Sequence, residues 1–293
     1  MPRKVDKDMT VYKIHNIIIK LEHIFNDYFA ENIEKYSFTS HDSTTHYIEV
    51  FYMEDKELIN GNKEELKYIT HKKIIDEIIH VYHYQNGSLT AYVVHDLDYH
   101  HVSIYLNPKY PNNLAQLEYV ISGIYFLEIA MHHGYFPFHA SAIAIRDEVI
   151  LITAPSGTGK STHAKFWIDN IKGASIINDD KPLIYMEENR LMVHGSPFSG
   201  EHRINQNKAL PLKAIINLHR GHKNHIEPKH NDTIIPMLIK ATLVPKNEAM
   251  WDLVLPIMNE IYNKIPVYDF YAEHHASAAT YLYQYFYEKE KDL

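Results

Sequence analysis

No cysteine occurs among the 293 residues, which excludes disulfides and thiolate chemistry. Dense basic stretches are also missing. With 29 basic and 37 acidic residues the formal charge is −8, which argues against nucleic acid as a general partner, because such binding is mainly phosphate neutralisation. The opening Met-Pro-Arg-Lys-Val-Asp-Lys-Asp-Met has no apolar core that would make it a signal peptide. No uninterrupted apolar run reaches transmembrane length: the most apolar long stretch, 114–131, contains Gln116, Glu118 and Glu128, so no membrane partner is expected. What is present, 45% hydrophobic and 23% charged residues, fits a globular chain large enough for two domains. The 22 histidines are dispersed, so none carries weight without its context.

The sharpest local signal is Ala154-Pro-Ser-Gly-Thr-Gly-Lys-Ser-Thr162. It follows the apolar run Glu148-Val-Ile-Leu-Ile-Thr153 and precedes His163-Ala-Lys-Phe-Trp-Ile168. A strand, a glycine-rich turn and a helix start in that order form the pattern of a phosphate-binding P-loop, with Ala154 where the first glycine usually stands. Gly157 and Gly159 let successive backbone N–H groups turn inward on a phosphate, and the helix that follows adds its positive end. Pro155, Ser156, Gly157, Thr158, Gly159, Lys160, Ser161 and Thr162 are therefore the candidate residues for binding a nucleotide's phosphates. Lys160 is placed to reach the β/γ-phosphates and the Ser161 hydroxyl to join a Mg²⁺ shell. A cytoplasmic location is the expectation for a nucleotide-dependent enzyme without export signals.

Downstream, the short apolar strand 173–178 leads into Asp179-Asp180, nineteen residues after Lys160. Carboxylates so placed suit Mg²⁺ handling and deprotonation of an attacking hydroxyl, one holding metal and the other facing the acceptor. The polar loop Gly195-Ser-Pro-Phe-Ser-Gly-Glu-His-Arg203 offers Arg203 as a cation for the transferring phosphate. His219, His222, His225 and His230 fall close together, but without cysteine they read as a charged loop near the nucleotide before they read as a zinc site.

The first 110 residues look β-rich, antiparallel and rich in tyrosine. Strands are expected at 12–21, 46–53, 74–84, 89–94 and 100–106, with a charged turn at 55–65, and Gln85-Asn-Gly-Ser88 is a strong hairpin signal. The segment 22–33 is ambiguous between helix and loop. Pro108, Pro111, Asn112 and Asn113 mark a boundary, giving a β-rich N-terminal region 1–110, open to a role in substrate recognition, and a catalytic domain 111–293. In the second part, 114–131, 233–241, 248–261 and 276–287 have helical character, with Pro256 expected to kink or split the third of these.

The Phe138-His139-Ala140-Ser141 segment, the Ser-Gly-Thr-Gly-Lys-Ser loop at 156–161 and Asn178-Asp179-Asp180 together resemble the catalytic core of HPr serine kinase/phosphorylase and ATP-dependent phosphoenolpyruvate carboxykinase. The likeness extends in layout over 112–285. It implies an α/β fold, with a phosphoenolpyruvate-carboxykinase-like P-loop core on a mixed sheet. It also implies Asp179 as general base, Asp180 as metal ligand or its support, and His139 near the phosphates. A kinase using ATP and Mg²⁺ follows, with a hydroxyl-bearing peptide, protein or small metabolite as acceptor. The alternatives are a nucleotide-binding regulatory ATPase or switch and, less favoured, carboxykinase-like chemistry. Homo-oligomer formation is compatible with the sequence.

Overall fold

Alternation of apolar residues builds the first sheet. A computed structural model of the chain describes residues 11–39, 45–54, 68–75, 77–200 and 203–288. β1 (Val11–Ile14) and β2 (Ile17–Glu22) form a hairpin where one strand is expected at 12–21. His15 turns the chain there with φ 52°, a conformation that tight hairpins require. A single turn of helix, α1 (Ala30–Ile33), continues as a 3₁₀ turn over Glu34–Tyr36. Then come β3 (His46–Tyr52), β4 (Tyr68–Ile75), β5 (Ile78–Gln85), β6 (Ser88–His95) and β7 (His101–Leu106). The expected hairpin turn is at Asn86 and Gly87, both at positive φ; the charged turn at 55–65 lies outside the described residues. Strand order is β1-β2-β3-β7-β6-β5-β4. The sheet is mixed and not purely antiparallel, because β3 runs parallel to both β2 and β7.

Alternate residues of these strands, including Ile19, Ile48, Val93, Val102 and Ile104, are buried. The long helix α2 (Leu114–His132) meets that side through His83–Tyr125 and Tyr99–Glu128 hydrogen bonds at 3.0 and 2.7 Å. By length and composition α2 could cross a membrane, but its most apolar stretch is 72% buried in the fold. Its Glu118 accepts the backbone N–H groups of Ile24 and Phe25. The chain divides into compact units after Ile129, near the end of α2. The boundary expected at 110 therefore moves: most of α2 belongs with the first sheet, whose buried side it covers.

The second unit contains β8 (Phe136–Pro137), β9 (Ser141–Ile145), β10 (Glu148–Thr153), α3 (Lys160–Asn170), β11 (Ser175–Asn178), β12 (Leu183–Glu187) and β13 (Arg190–His194). β14 (Ala209–Arg220), β15 (His225–Pro228), α4 (Asn231–Lys240), α5 (Glu248–Lys264), β16 (Val267–Ala272) and α6 (Ser277–Tyr287) complete it. Its sheet runs β11-β9-β10-β14-β13-β12-β8, with β16 joining β14 to β15. Helices cover both faces, which explains the unbroken apolar run of β10. Val149 and Leu151 enter the core containing α4 and α5, and Ile150 and Ile152 the core containing α3 and α6. α5 is not split at Pro256 and runs as one helix from Glu248 to Lys264. The carbonyl that Pro256 leaves without its helical donor belongs to exposed Asp252, where water can satisfy it.

β14 pairs in parallel with both β10 and β16. The loop after β10, the His219–Arg220 end of β14 and the Ala272–Glu273 end of β16 therefore share one edge, the carboxyl edge at which α/β sheets bind ligands.

Candidate nucleotide and phosphoryl-transfer site

The loop between β10 and α3 owes its shape to two glycines. Gly157 has φ 77° and Gly159, which caps α3, has φ 114°. A Cβ at either position would meet nothing within 4 Å, so these positions need glycine for backbone conformation and not for space. Thr158 N–H donates to the Pro155 carbonyl at 3.2 Å and His163 N–H to the Gly159 carbonyl at 2.9 Å, closing the turn into the helix.

One cavity of about 480 Å³ is lined by His139, the loop from Ala154 to Gly157, Gly159 to Thr162, Asp179, Asp180 and Gly200. Residues far apart in sequence meet here because β11 lies beside β9, and β9 beside β10. Asp180 is the electrostatic centre. Its Oδ1 is 3.0 Å from His139 Nε2 and 3.6 Å from Lys160 Nζ, and its Oδ2 is 3.4 Å from Lys181 Nζ. Burial alone would raise the pKa of this carboxyl. The His139 hydrogen bond and the Lys181, His139 and Lys160 charges outweigh burial and hold it well below the usual carboxylate range. Lys160, with only 11% of its side chain exposed, is pulled below its ordinary pKa by burial, an effect that Asp180 opposes.

Asp179 lies deeper, 3% exposed. Gly200 N–H donates to its Oδ1 at 2.7 Å, and Asp179's own N–H donates to the Ile204 carbonyl. Gly200 packs closely on the pair: a Cβ there would sit 3.3 Å from the Asp180 Cβ and 3.4 Å from Asp179 Oδ2. Buried Asn178 organises the turn, its Oδ1 accepting the N–H groups of Asp180 and Lys181 at 2.9 and 2.6 Å. Its Nδ2 donates to the Ser196 carbonyl at 2.9 Å, tying the aspartate pair to the loop at 195–200. Asn178 stood in the sequence motif, but its role depends on Ser196, which no spacing rule predicts. Arg203 is not among the described residues lining this cavity; its backbone, at φ 54°, returns to the Gly200 carbonyl.

A second cavity, about 490 Å³, lies along the same loop and shares Gly157, Gly159 and Thr162 with the first. Phe166, His219, Arg220, Glu273 and His274 also line it. Arg220 Nη2 donates to the Gly157 carbonyl at 2.5 Å, and its Nε to the Thr158 carbonyl at 3.4 Å. His219 does not join a histidine cluster. Its Nε2 is 2.7 Å from Asp269 Oδ1, and the same carboxylate takes Asn217 Nδ2 at 2.6 Å and Lys229 Nζ at 2.9 Å. Among the described residues no group of three or more His, Cys, Asp or Glu side chains could hold a metal ion. Arg220 and Asp269 escape a sequence reading because each acts on a neighbouring element, Arg220 from β14 on the loop after β10 and Asp269 from β16 on β14; the only local signal was the basic run His219-Arg-Gly-His-Lys223.

No protein-family model and no curated protein matches the chain. Among solved structures, the HPr(Ser) kinase/phosphatase from Coxiella burnetii is similar at 15% sequence identity and a TM-score of 0.30. The match spans 53% of this chain and 98% of that one. The likeness is distant, and the chemistry assigned to the site rests on this chain's own residues.

Proposed function

We propose that the chain is an ATP- and Mg²⁺-dependent phosphotransferase that moves the γ-phosphoryl group to a hydroxyl of a peptide, protein or small metabolite. One juxtaposition supports this reading: the glycine-shaped loop, Lys160, Ser161, His139 and the Asp179–Asp180 pair line a single cavity. The loop's N–H groups and the amino end of α3 receive the phosphates, and Lys160 balances charge on the β/γ oxygens. The second cavity is the place for the nucleoside, continuous with the phosphate loop and walled by Phe166 and His274.

Ser161 and Asp180 supply a hydroxyl and a carboxylate oxygen, a hard-donor set that suits Mg²⁺, which keeps several waters and phosphate oxygens of its own. Bound there, Mg²⁺ would neutralise phosphate charge. Asp180, held ionised by three basic neighbours, is a poor proton acceptor and a good cation ligand. Asp179 is the base: its carboxylate accepts the acceptor's hydroxyl proton as the oxygen forms its bond to the γ-phosphorus and the bond to the ADP oxygen breaks. His139 steadies Asp180 and stands beside the phosphates.

One observation favours a second reading, an ATPase switch with no phosphoryl acceptor. Asp179 is nearly enclosed and already holds the Gly200 N–H, which restricts approach by a macromolecular hydroxyl. Incubation with γ-labelled ATP, Mg²⁺ and extract from the source cells separates the two. A kinase labels an acceptor, whereas a switch releases only inorganic phosphate. Asp179→Asn should lower single-turnover transfer about 10²–10⁴-fold and shift MgATP affinity less than about tenfold. Unchanged transfer in that variant would remove Asp179 from the chemistry.

A further inference from the structure

The first unit contains a cavity of about 710 Å³ that phosphoryl transfer does not use. It opens between the end of the β5–β6 hairpin, the first turns of α2 and the segment 107–113. A β-bulge shapes it. His83 pairs with Ala91 and Tyr84 with Leu89, which leaves Thr90 as the extra residue of β6. Leu89, Thr90 and Ala91 are consequently all buried, breaking the alternation of the strand. A bulge bends its strand and re-aims the side chains beside it. Here the Thr90 hydroxyl donates back to the His83 carbonyl at 3.0 Å. Asn107 holds the bulge in place: its N–H donates to the Thr90 carbonyl at 2.9 Å and its Nδ2 to the Leu89 carbonyl at 2.7 Å. His83 anchors this wall to the core through its 3.0 Å hydrogen bond with the buried Tyr125 hydroxyl.

The lining has two kinds of surface. Leu117, Val120 and Ile124 of α2 give an apolar side, and Val120 is 48% exposed. Gln85, Tyr110 and Asn112 give a polar side that is already hydrogen-bonded into a chain. The Tyr110 hydroxyl donates to Gln85 Oε1, and Asn112 Nδ2 donates to the Tyr110 oxygen at 2.9 Å. No Asp, Glu, Lys or Arg appears among the described lining residues. A charged ligand would lose its hydration here and gain no counter-charge. A purely apolar ligand would cover carboxamide and phenol groups without offering them partners. An uncharged ring with C–H faces and hydroxyl edges meets both surfaces, because carboxamides and phenols both donate and accept while aliphatic and aromatic walls take the C–H faces. The volume lies within the range of small-molecule sites.

We propose that this cavity binds a neutral sugar ring: a hexose, or an N-acetylated or glycosidic form of one. The test uses the full-length protein, titrated with glucose, galactose, N-acetylglucosamine and their methyl glycosides by saturation-transfer NMR and calorimetry. Glucose 6-phosphate and cyclohexanol serve as the charged and the hydroxyl-poor comparisons. At least one neutral sugar should bind saturably at millimolar concentration or below. Tyr110→Ala and Gln116→Lys should each weaken that binding about tenfold or more and leave MgATP affinity unchanged. Gln116 is an exposed helical position lining the cavity, so its variant keeps the test valid if Tyr110→Ala folds poorly. The assignment is overturned by no neutral-sugar binding up to about 50 mM, by cyclohexanol or glucose 6-phosphate binding as well as the sugars, or by sugar binding indifferent to both variants. None of these outcomes bears on the nucleotide site, which is read by ATP titration and label transfer.

Discussion

His163 is the second residue after Ser161 on α3, yet it faces the core and not the phosphates. Both ring nitrogens lack hydrogen-bond partners, and the ring stands edge-on to Phe270 at 5.8 Å. Burial lowers its pKa from 6.5 to about 4. The sign of the linkage follows. Above about pH 6.5 the imidazole is neutral in both folded and unfolded chains and adds no pH dependence. Between about pH 6.5 and 4 only the unfolded chain takes up the proton, so stability falls as pH falls, by an accumulated ~3 kcal/mol. Urea unfolding at several pH values through this window should show that loss in the native chain, and His163→Leu should remove about one proton's worth of slope. Identical slopes would mean that the ring is protonated or partnered in the folded protein. At the loop itself, on the proposed reading, Lys160→Ala should abolish most ATP-dependent turnover without unfolding the protein, because its Nζ lies in the cavity beside Asp180 and not in either apolar core. Wild-type turnover and nucleotide affinity in the purified variant would refute the assignment of the loop.

At the scale of elements, the chain announces some structures and conceals others. The loop of residues 154–162 is legible because its chemistry is contiguous: two glycines, a lysine and a hydroxyl in register between a strand and a helix. The β5–β6 hairpin is legible for the same reason, since Asn86-Gly87 writes its own turn. The β1–β2 hairpin is not, because His15-Asn16 is a weak turn signal inside an apolar stretch, and only tertiary pairing decides that the strand folds back. Parallel pairing of β3 with β2 and β7 is set by long connections and leaves no local mark. The helix ends can be tested. Asn247 caps α5, its side chain accepting the Met250 N–H at 2.9 Å. Asn247→Ala should lower unfolding free energy by about 1 kcal/mol and Asn247→Asp by much less. Equal effects of the two in urea titration would show that the cap bond contributes nothing. Gly159→Ala should destabilise more than a helix-propensity change predicts, because φ 114° lies outside what alanine tolerates.

For the whole molecule, the informative feature is where the chain divides. Proline and asparagine at 108–113 suggest a boundary there, but these residues form the approach to α2, and α2 spends most of its length on the first sheet. The compact units divide after Ile129 and not near 110, because the buried face of α2 reveals its partner only in three dimensions. The residues proposed to meet ATP and Mg²⁺ all lie after residue 138: His139, the loop at 154–162, Asp179 and Asp180. The second unit has apolar cores on both faces of its own sheet. A fragment of residues 130–293 should therefore fold, and should bind MgATP within about threefold of the full chain, since it keeps every residue lining both cavities along the loop. A fragment starting at 111 should be less soluble, because it carries α2 without the sheet that meets buried Tyr125 through His83 and His95. If the first unit selects the acceptor, the 130–293 fragment will also hydrolyse ATP slowly while labelling the natural acceptor at least about tenfold less than the full chain. Equal labelling by fragment and full chain would rule out a selecting role for the first unit. Loss of MgATP binding in a fragment that is folded by circular dichroism would show that the nucleotide site needs residues before 130.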